Sequence, residues 1–224
     1  MIVRDLGCAD YLDTLHAMRQ FTARRQPDTD DELWLVEHPA VFTLGQAGRR
    51  EHLLTATDIP VVSTDRGGQI TYHGPGQVVA YPLLNLRRLG IYVKELVFRL
   101  EQSVIQTLDA FGVDGRRISG APGVFTPWRS DAEPPFKDLA KIAALGIKVS
   151  RGCAYHGVAL NVAMDLSPYA CIDPCGYAGL EVVDLKKLGV HADRDEVGAH
   201  LAERLQAHFS LRESNARSLA RIAV

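Results

Sequence analysis

The fold of this chain is decided by residues 141–162, which read KIAALGIKVSRGCAYHGVALNV. Two largely apolar segments, residues 141–149 and 153–162, flank a short polar sequence at residues 150–152. Apolar runs of this length on either side of a glycine-containing turn predict a β-hairpin. We therefore predict two adjacent antiparallel strands here.

The remaining secondary structure falls into separate groups of strands and helices. Short apolar or alternating segments predict further strands at residues 33–37, 40–44, 61–63, 69–72 and 78–84. Apolar residues at helical spacing predict helices at residues 11–26 and 92–111, and a third that begins near Asp193 and contains Val197, Leu201 and Leu205. Because the strands cluster and the helices stand apart, we predict an α+β fold with helices on one face of a sheet. We expect residues 1–224 to form a single domain.

Composition and charge narrow the possible functions. Lys and Arg number 25 and Asp and Glu number 27, so the net charge is −2, which offers no electrostatic reason to bind nucleic acid. No apolar run approaches the roughly 20 residues of a membrane-spanning helix, and the first residues do not resemble a signal peptide. Four cysteines in 224 residues are too few for a disulfide scaffold. We therefore expect reduced thiols and a cytoplasmic protein.

The segment RGGQITYHGPGQ, residues 66–77, is rich in glycine and in polar side chains. Glycines let the backbone approach a ligand closely or adopt positive φ. A ligand-binding loop and a tight hairpin with satisfied polar groups both fit this pattern. The segment does not match a Walker-type phosphate loop.

Cys175 lies in the sequence PCG, which predicts a turn that exposes the thiol. An exposed thiol near a cation can act as a nucleophile, because a positive neighbour favours the thiolate. A buried structural cysteine is the alternative. A metal site of Cys171 and Cys175 with His73 or His156 is a weaker alternative, since CxxxC is not one of the strong zinc spacings.

Lys141 is followed by five uncharged residues, through Gly146. A lysine among apolar neighbours is partly desolvated and can serve as a base, whereas a lysine near a strand end can also extend into solvent. In the second strand of the hairpin, Gly157 and Ala159 present small side chains on one face. That face leaves room for a ligand chain or for a tightly packed helix.

Together, these segments resemble one family, the octanoyltransferases of lipoic acid synthesis. The resemblance covers most of the chain, and five segments agree in order and spacing: residues 37–45, 66–77, 141–146, 151–161 and 174–177. Each segment alone is a weak signal, whereas the combination is specific. The resemblance implies the fold of lipoate and biotin protein ligases, a mixed β-sheet with helices packed on it.

The resemblance also implies a reaction and the residues that perform it. An octanoyl group would pass from octanoyl-acyl carrier protein to a specific lysine of a lipoyl domain. Cys175 would attack the thioester and become the acyl-enzyme, with Lys141 as its acid–base partner. Substrate contacts are implied for Arg66, Gly67, Gly68, Gln69, Ile70, Thr71, Tyr72, His73, Ala144, Leu145, Gly146, Gly157, Val158 and Ala159.

The implied reaction needs no cofactor and no metal, because thioester exchange is nearly balanced and amide formation from a thioester is downhill. The expected partners are octanoyl-acyl carrier protein as donor, and lipoyl domains of 2-oxoacid dehydrogenase E2 subunits and the glycine cleavage H protein as acceptors. We expect a monomer that binds neither nucleic acid nor membrane. Candidates for docking the acidic carrier protein are Arg49, Arg50, Arg87 and Arg88. The alternatives are an ATP-dependent lipoate or biotin ligase, a carrier-to-carrier octanoyl amidotransferase and a non-enzymatic binding module.

Overall fold

Two β-sheets organise the fold within residues 1–129, 132–174 and 179–210, the residues that the computed structural model describes. In chain order the strands are β1 Ile2–Cys8, β2 Glu32–Glu37, β3 Val41–Leu44, β4 Val61–Ser63, β5 Ile70–His73, β6 Gln77–Asn85, β7 Arg116–Ile118, β8 Ala121–Pro127, β9 Leu139–Ser150 and β10 Cys153–Asn161. The helices are α1 Tyr11–Arg24, α2 Leu86–Leu89, α3 Val93–Ala110 and α4 Arg194–Phe209, with 3-10 turns at Arg50–His52 and Ser167–Cys171. The large sheet has the order β1-β2-β6-β10-β9-β8-β7, and the small sheet has the order β4-β3-β5. Both sheets are mixed, because β1–β2 and β3–β4 pair in parallel while the other pairs are antiparallel.

The β9–β10 hairpin confirms the prediction made from residues 141–162. The strands pair antiparallel, and Arg151 and Gly152 form the turn with φ of 53° and 82°. Positive φ at both central residues is typical of the type I′ turns that match the twist of paired strands. Strand β10 then lies between β6 and β9, near the middle of the large sheet.

Helices cover both faces of the large sheet, which corrects the prediction that they lie on one face. In β2, Leu33 packs in the apolar cluster beneath α3 and α4, whereas Trp34 packs with α1 on the opposite face. Alternate residues of a strand point to opposite faces, so β6 and β10 contribute side chains to both clusters. A nearly continuous apolar run, such as residues 78–84, is typical of a strand covered on both faces.

Helix α1 ends at Arg24 rather than at the predicted residue 26. Asp10 caps its first turn. At the other end, Arg25 leaves the helix and pairs with the buried Asp31 at 2.5 Å, and Pro27 disfavours a helical conformation in the residue before it. Helices α3 and α4 confirm the other two helix predictions. Within the described ranges, no helix combines the length and the apolar composition that crossing a membrane requires.

Strands β1, β7 and β8 are missing from the prediction, and all three lie toward the edges of the large sheet. Strand β8 contains Pro122, Gly123 and Pro127, residue types that weaken strands and are tolerated mainly near edges and bulges. Strand β1 is mostly exposed and carries Cys8 on the surface. Weak burial removes the apolar alternation on which strand prediction depends.

The small sheet positions the glycine-rich segment. Strand β5 pairs antiparallel with β3, one residue later than the predicted strand at residues 69–72. Residues 64–69 connect β4 to β5 and lie against the large sheet, because the Gly67 N–H donates to the Ile147 oxygen of β9 at 2.9 Å. This loop therefore joins the small sheet to the predicted hairpin.

Candidate active site

A first cavity lies between the small sheet, α1 and the β9–β10 hairpin, with about 500 Å³ of empty space when its solvent-open mouth is included. The substrate-binding residues implied by the resemblance line this cavity, except Gly67 and Tyr72. Gly67 lines a neighbouring second cavity, and Tyr72 packs with Phe42 and Tyr169 in an apolar cluster. Three segments that are distant in the chain thus meet at one place.

Small residues of paired strands form one wall of the first cavity. Ala144 of β9 lies opposite Ala159 of β10, and Gly146 lies opposite Gly157. A Cβ added to Gly157 would lie 2.1 Å from the Ala80 carbonyl oxygen in β6, so the glycine is required by the approach of the neighbouring strand. The alanine pair and Gly157 line the cavity, and the absence of a side chain at Gly157 also lets β6 approach β10 closely.

Arg66 holds the loop that borders both cavities. Its side chain is buried. Nη2 donates to the backbone oxygens of Thr43 and Gln69 at 2.6 and 2.8 Å, and Nη1 donates to the Gly67 oxygen at 2.9 Å. Because these acceptors lie on the small sheet and on the loop itself, Arg66 shapes the binding loop from behind.

His73 presents a neutral imidazole on the wall of the first cavity. Its Nδ1 lies 2.8 Å from the Gln77 Oε1, an acceptor, so we assign the proton to Nδ1; Nε2 then faces the Thr43 hydroxyl at 3.3 Å. Burial, reinforced by the neighbouring His38, lowers the pKa of His73 to about 3. The imidazole is therefore uncharged across the physiological pH range.

A cluster around Asp65, which the prediction did not include, supports the first cavity. The Asp65 carboxylate accepts hydrogen bonds from His156 Nε2 at 3.0 Å and from the Tyr155 hydroxyl at 2.5 Å, and Arg19 Nε lies 3.2 Å away. Burial alone would raise the pKa of Asp65, but these hydrogen bonds outweigh it and hold the pKa well below its ordinary range. Burial also lowers the pKa of His156, so a neutral imidazole donates to a carboxylate.

The backbone of His156 explains how two consecutive residues reach the same carboxylate. Consecutive side chains of a regular strand point to opposite faces, yet Tyr155 and His156 both contact Asp65. His156 has φ of 62°, a conformation uncommon outside glycine, which redirects its side chain. The prediction also omitted other residues that line the first cavity, including Tyr11, Val79 and Tyr81.

Lys141 lines a second cavity beside the first, with about 820 Å³ of empty space when its solvent-open mouth is included. It is 4% exposed, so it does not extend into solvent. Its Nζ lies 3.4 Å from the Pro122 carbonyl oxygen and 5.2 Å from the centre of the Phe125 ring. Four residues line both cavities, which are therefore adjacent: Gly68, Gln69, Leu145 and Gly146.

Cys175, the predicted nucleophile, lies outside the described residues. The nearest described residues on either side are Pro174, which is buried, and Gly179, which is exposed. Leu180 lines the second cavity together with Lys141. The described part of the chain shows no cluster of three metal-ligating side chains, and its His73 and His156 bond to protein groups instead.

Comparisons with known proteins identify the family of the chain. A family model described as the lipoyl protein ligase A/B catalytic domain matches residues 10–206. Proteins named octanoyltransferase from Methylibium petroleiphilum and Albidiferax ferrireducens are 58% and 55% identical to this chain, over 92% of its length and over 97% and 96% of theirs.

Solved structures confirm the predicted fold. A bipartite lipoate protein ligase from Thermoplasma acidophilum matches with a TM-score of 0.72 at 16% identity, covering 98% of this chain and 92% of that one. A biotin protein ligase from Aquifex aeolicus matches with a TM-score of 0.53 at 12% identity, covering 93% and 70%. The family model and the sequence relatives identify the family as well as the fold. The chain therefore belongs to the lipoyl protein ligase A/B catalytic domain family and, within it, to the octanoyltransferases.

Proposed function

We propose that this enzyme transfers an octanoyl group from octanoyl-acyl carrier protein to a lysine of a lipoyl domain, through a thioester on Cys175. The names of the relatives support the acyl group. The observation that carries the route is that the two cavities are adjacent and share the lining residues Gly68, Gln69, Leu145 and Gly146. An acyl chain in the first cavity would place its carbonyl carbon toward the cavity that contains Lys141.

The first cavity suits the hydrocarbon part of the substrate. Ala144, Ala159 and Ile70 supply apolar wall. Burying the roughly six methylenes of an octanoyl chain at about 0.8 kcal/mol each contributes up to about 5 kcal/mol. The dry cavity thus supplies affinity and a physical limit on chain length.

The chemistry consists of two acyl exchanges. In the first, the Cys175 sulfur attacks the thioester carbonyl, and the proton of its thiol passes through Lys141 to the departing carrier thiolate. In the second, the acceptor lysine attacks the new thioester, and Lys141 receives a proton from the amine as the Cys175 thiolate leaves. Neither exchange changes an oxidation state, and neither requires ATP or a metal.

The partners in this proposal are both proteins: octanoyl-acyl carrier protein as donor, and lipoyl domains of 2-oxoacid dehydrogenase E2 subunits and the glycine cleavage H protein as acceptors. Of the docking candidates, Arg88 pairs with the buried Asp31 at 2.8 Å and so serves the fold. Arg49, Arg50 and Arg87 remain candidates for contact with an acidic carrier. The cytoplasmic location, the single domain and the monomeric state remain predictions from the sequence.

Intact-protein mass spectrometry tests the acyl-enzyme directly. We expect the pure protein mixed with octanoyl-acyl carrier protein, without ATP, to gain one octanoyl group that hydroxylamine removes. Cys175→Ala should abolish this gain, while Cys8→Ala, at an exposed thiol, should preserve it. Lys141→Met should slow acylation by about 100-fold or more, the usual contribution of acid–base catalysis.

Three other outcomes would contradict the proposal. Undiminished acylation of Cys175→Ala would exclude the thioester at that residue. Labelling of a lipoyl domain only when ATP and free octanoate are supplied would indicate a ligase. Transfer from octanoylated H protein but not from octanoyl-acyl carrier protein would indicate the amidotransferase.

A further inference from the structure

Helix α3 carries a carboxylate into the apolar interior next to Lys141. Within α3, Glu101 is the charged member of the buried face, where its neighbours are aliphatic or hydroxyl residues. Its side chain is 9% exposed, although a glutamate at this position gains nothing from apolar burial. A buried charge is costly unless it has specific partners, so the partners of Glu101 indicate its purpose.

One partner is the peptide group between Pro122 and Gly123. Glu101 Oε1 accepts a hydrogen bond from the Gly123 N–H at 3.0 Å. The carbonyl oxygen of the same peptide group, on Pro122, lies 3.4 Å from the Lys141 Nζ. A single peptide plane therefore connects the carboxylate to the ammonium group.

The backbone at Gly123 keeps this connection short. Gly123 has φ of 130°, and a Cβ added there would lie 2.8 Å from the Ala143 backbone oxygen, 3.0 Å from Lys141 Cε and 3.3 Å from Nζ. Because a side chain would collide with the backbone of β9, strand β8 can approach Lys141 this closely only at a glycine.

We infer that Glu101 is a positioning residue, which acts through the Pro122–Gly123 peptide to orient Lys141 and to stabilise its ammonium form. An anion bonded to a peptide N–H polarises the peptide and strengthens its carbonyl as an acceptor. The negative charge also attracts the ammonium group directly. The inference rests on the proposed function only in assigning catalytic work to Lys141; the contacts themselves are independent of it.

Other charged groups surround this unit. Arg117 Nε, on β7, lies 3.1 Å from Glu101 Oε2. Burial raises the pKa of Glu101, while the Gly123 N–H, Arg117 and Lys141 oppose that effect. On the segment paired with β9, the Glu181 carbonyl oxygen accepts a hydrogen bond from the Lys141 backbone N–H. The Glu181 carboxylate accepts a hydrogen bond from Trp128 Nε1 at 2.9 Å. Within the described residues, Glu101 is thus the carboxylate that reaches the Lys141 ammonium through a shared peptide.

The test measures the pH dependence of Lys141 reactivity in the intact protein. Trace acetic anhydride labels neutral amines, and peptide mass spectrometry gives the midpoint pH for Lys141. In Glu101→Gln, which keeps an oxygen for the Gly123 N–H but loses the charge, we expect the midpoint to move about one pH unit lower, a tenfold change. Arg117→Gln removes a positive charge and should move it higher. Glu95→Gln, at an exposed carboxylate on the same helix, should leave it unchanged.

A lower Lys141 midpoint in Glu101→Gln and a higher one in Arg117→Gln would distinguish an electrostatic role from a structural one. Misfolding would not shift the two midpoints in opposite directions. A Lys141 midpoint in folded Glu101→Gln equal to that of the wild type would overturn the inference. If Glu101→Gln does not fold, Arg117→Gln decides: a higher midpoint supports the inference, and an unchanged midpoint overturns it.

Acyl-enzyme formation measured in the same variants separates the two proposals. A wild-type enzyme that is not acylated would refute the proposed function and leave the labelling result intact. An acylated wild type whose rate–pH profile is unchanged by Glu101→Gln would refute the inference alone.

Discussion

Replacing Ala144 with valine should shorten the acyl chain that the enzyme prefers. Ala144 lies opposite Ala159 in the β9–β10 ladder, and both residues line the first cavity. Valine adds two methyl groups to this wall, which take the space of about two methylenes of a bound chain. The preference should therefore move from octanoyl toward hexanoyl.

The expected magnitude follows from the lost burial. Two methylenes at about 0.8 kcal/mol each amount to about 1.6 kcal/mol, which is roughly a 15-fold loss in kcat/KM for the octanoyl donor. A hexanoyl chain does not need the occupied space, so its kcat/KM should change less than about twofold. The ratio of the two donors is the informative quantity, because it cancels general losses of activity.

A competition between hexanoyl- and octanoyl-acyl carrier protein, read by the mass of the acyl-enzyme, measures this ratio. Ala121→Val is the matched control, since Ala121 is also an alanine of the large sheet but lines the second cavity. It should leave the ratio unchanged. An unchanged ratio in Ala144→Val would refute the placement of the chain in the first cavity. A ratio altered only by Ala121→Val would place the chain in the second cavity.

Three further predictions concern stability. Asp65→Asn weakens hydrogen bonds to a charged acceptor and should lower Tm by roughly 6–12 °C, the equivalent of about 3 kcal/mol. Asp114→Asn, at an exposed ion pair, is the control and should melt like the wild type. An equal Tm for Asp65→Asn and the wild type would contradict the role of the cluster. The pKa of His73 is lowered from 6.5 to about 3 in the folded state, so unfolding takes up a proton at any pH between these two values. The free energy of unfolding therefore falls as pH falls through this range, by up to about 1.4 kcal/mol per pH unit. His73→Gln should flatten this dependence in urea titrations, and an unchanged slope would exclude His73 as its source. Gly157→Ala should lower Tm or soluble yield, because its Cβ would lie 2.1 Å from the Ala80 oxygen. A Tm of this variant equal to that of the wild type would show that β6 and β10 separate easily.

Local features of the sequence predicted much of the fold because their physical causes are local. The turn at residues 150–152 and the apolar runs beside it define the hairpin. Asp193 marks the start of α4, where its side chain accepts a hydrogen bond from the Asp195 N–H at 2.7 Å. Strands β1 and β7 escaped prediction because each lacks a partner strand on one side. Strand β8, which lies between β7 and β9, escaped prediction because Pro122 and Gly123 interrupt its apolar pattern.

The sequence predicted the part of the candidate site that is rich in glycine. It missed the part formed by residues that are far apart in the chain. The glycines of residues 66–77 signal close backbone approach by composition alone. The contact between Asp65 and His156 joins residues 91 positions apart and depends on an unusual φ in a strand. No local pattern contains that information.

By itself, the sequence determined the hairpin, the helices, the α+β class and the segments that form the first cavity, because turn chemistry, periodicity and glycine content act over a few residues. Only the tertiary structure decided that helices cover both sheet faces, that Lys141 is buried beside the Pro122 carbonyl, and that Glu101 reaches it through one peptide group. These outcomes depend on burial and on contacts between distant elements. Both arise only when the strands are placed side by side and the helices are packed against them.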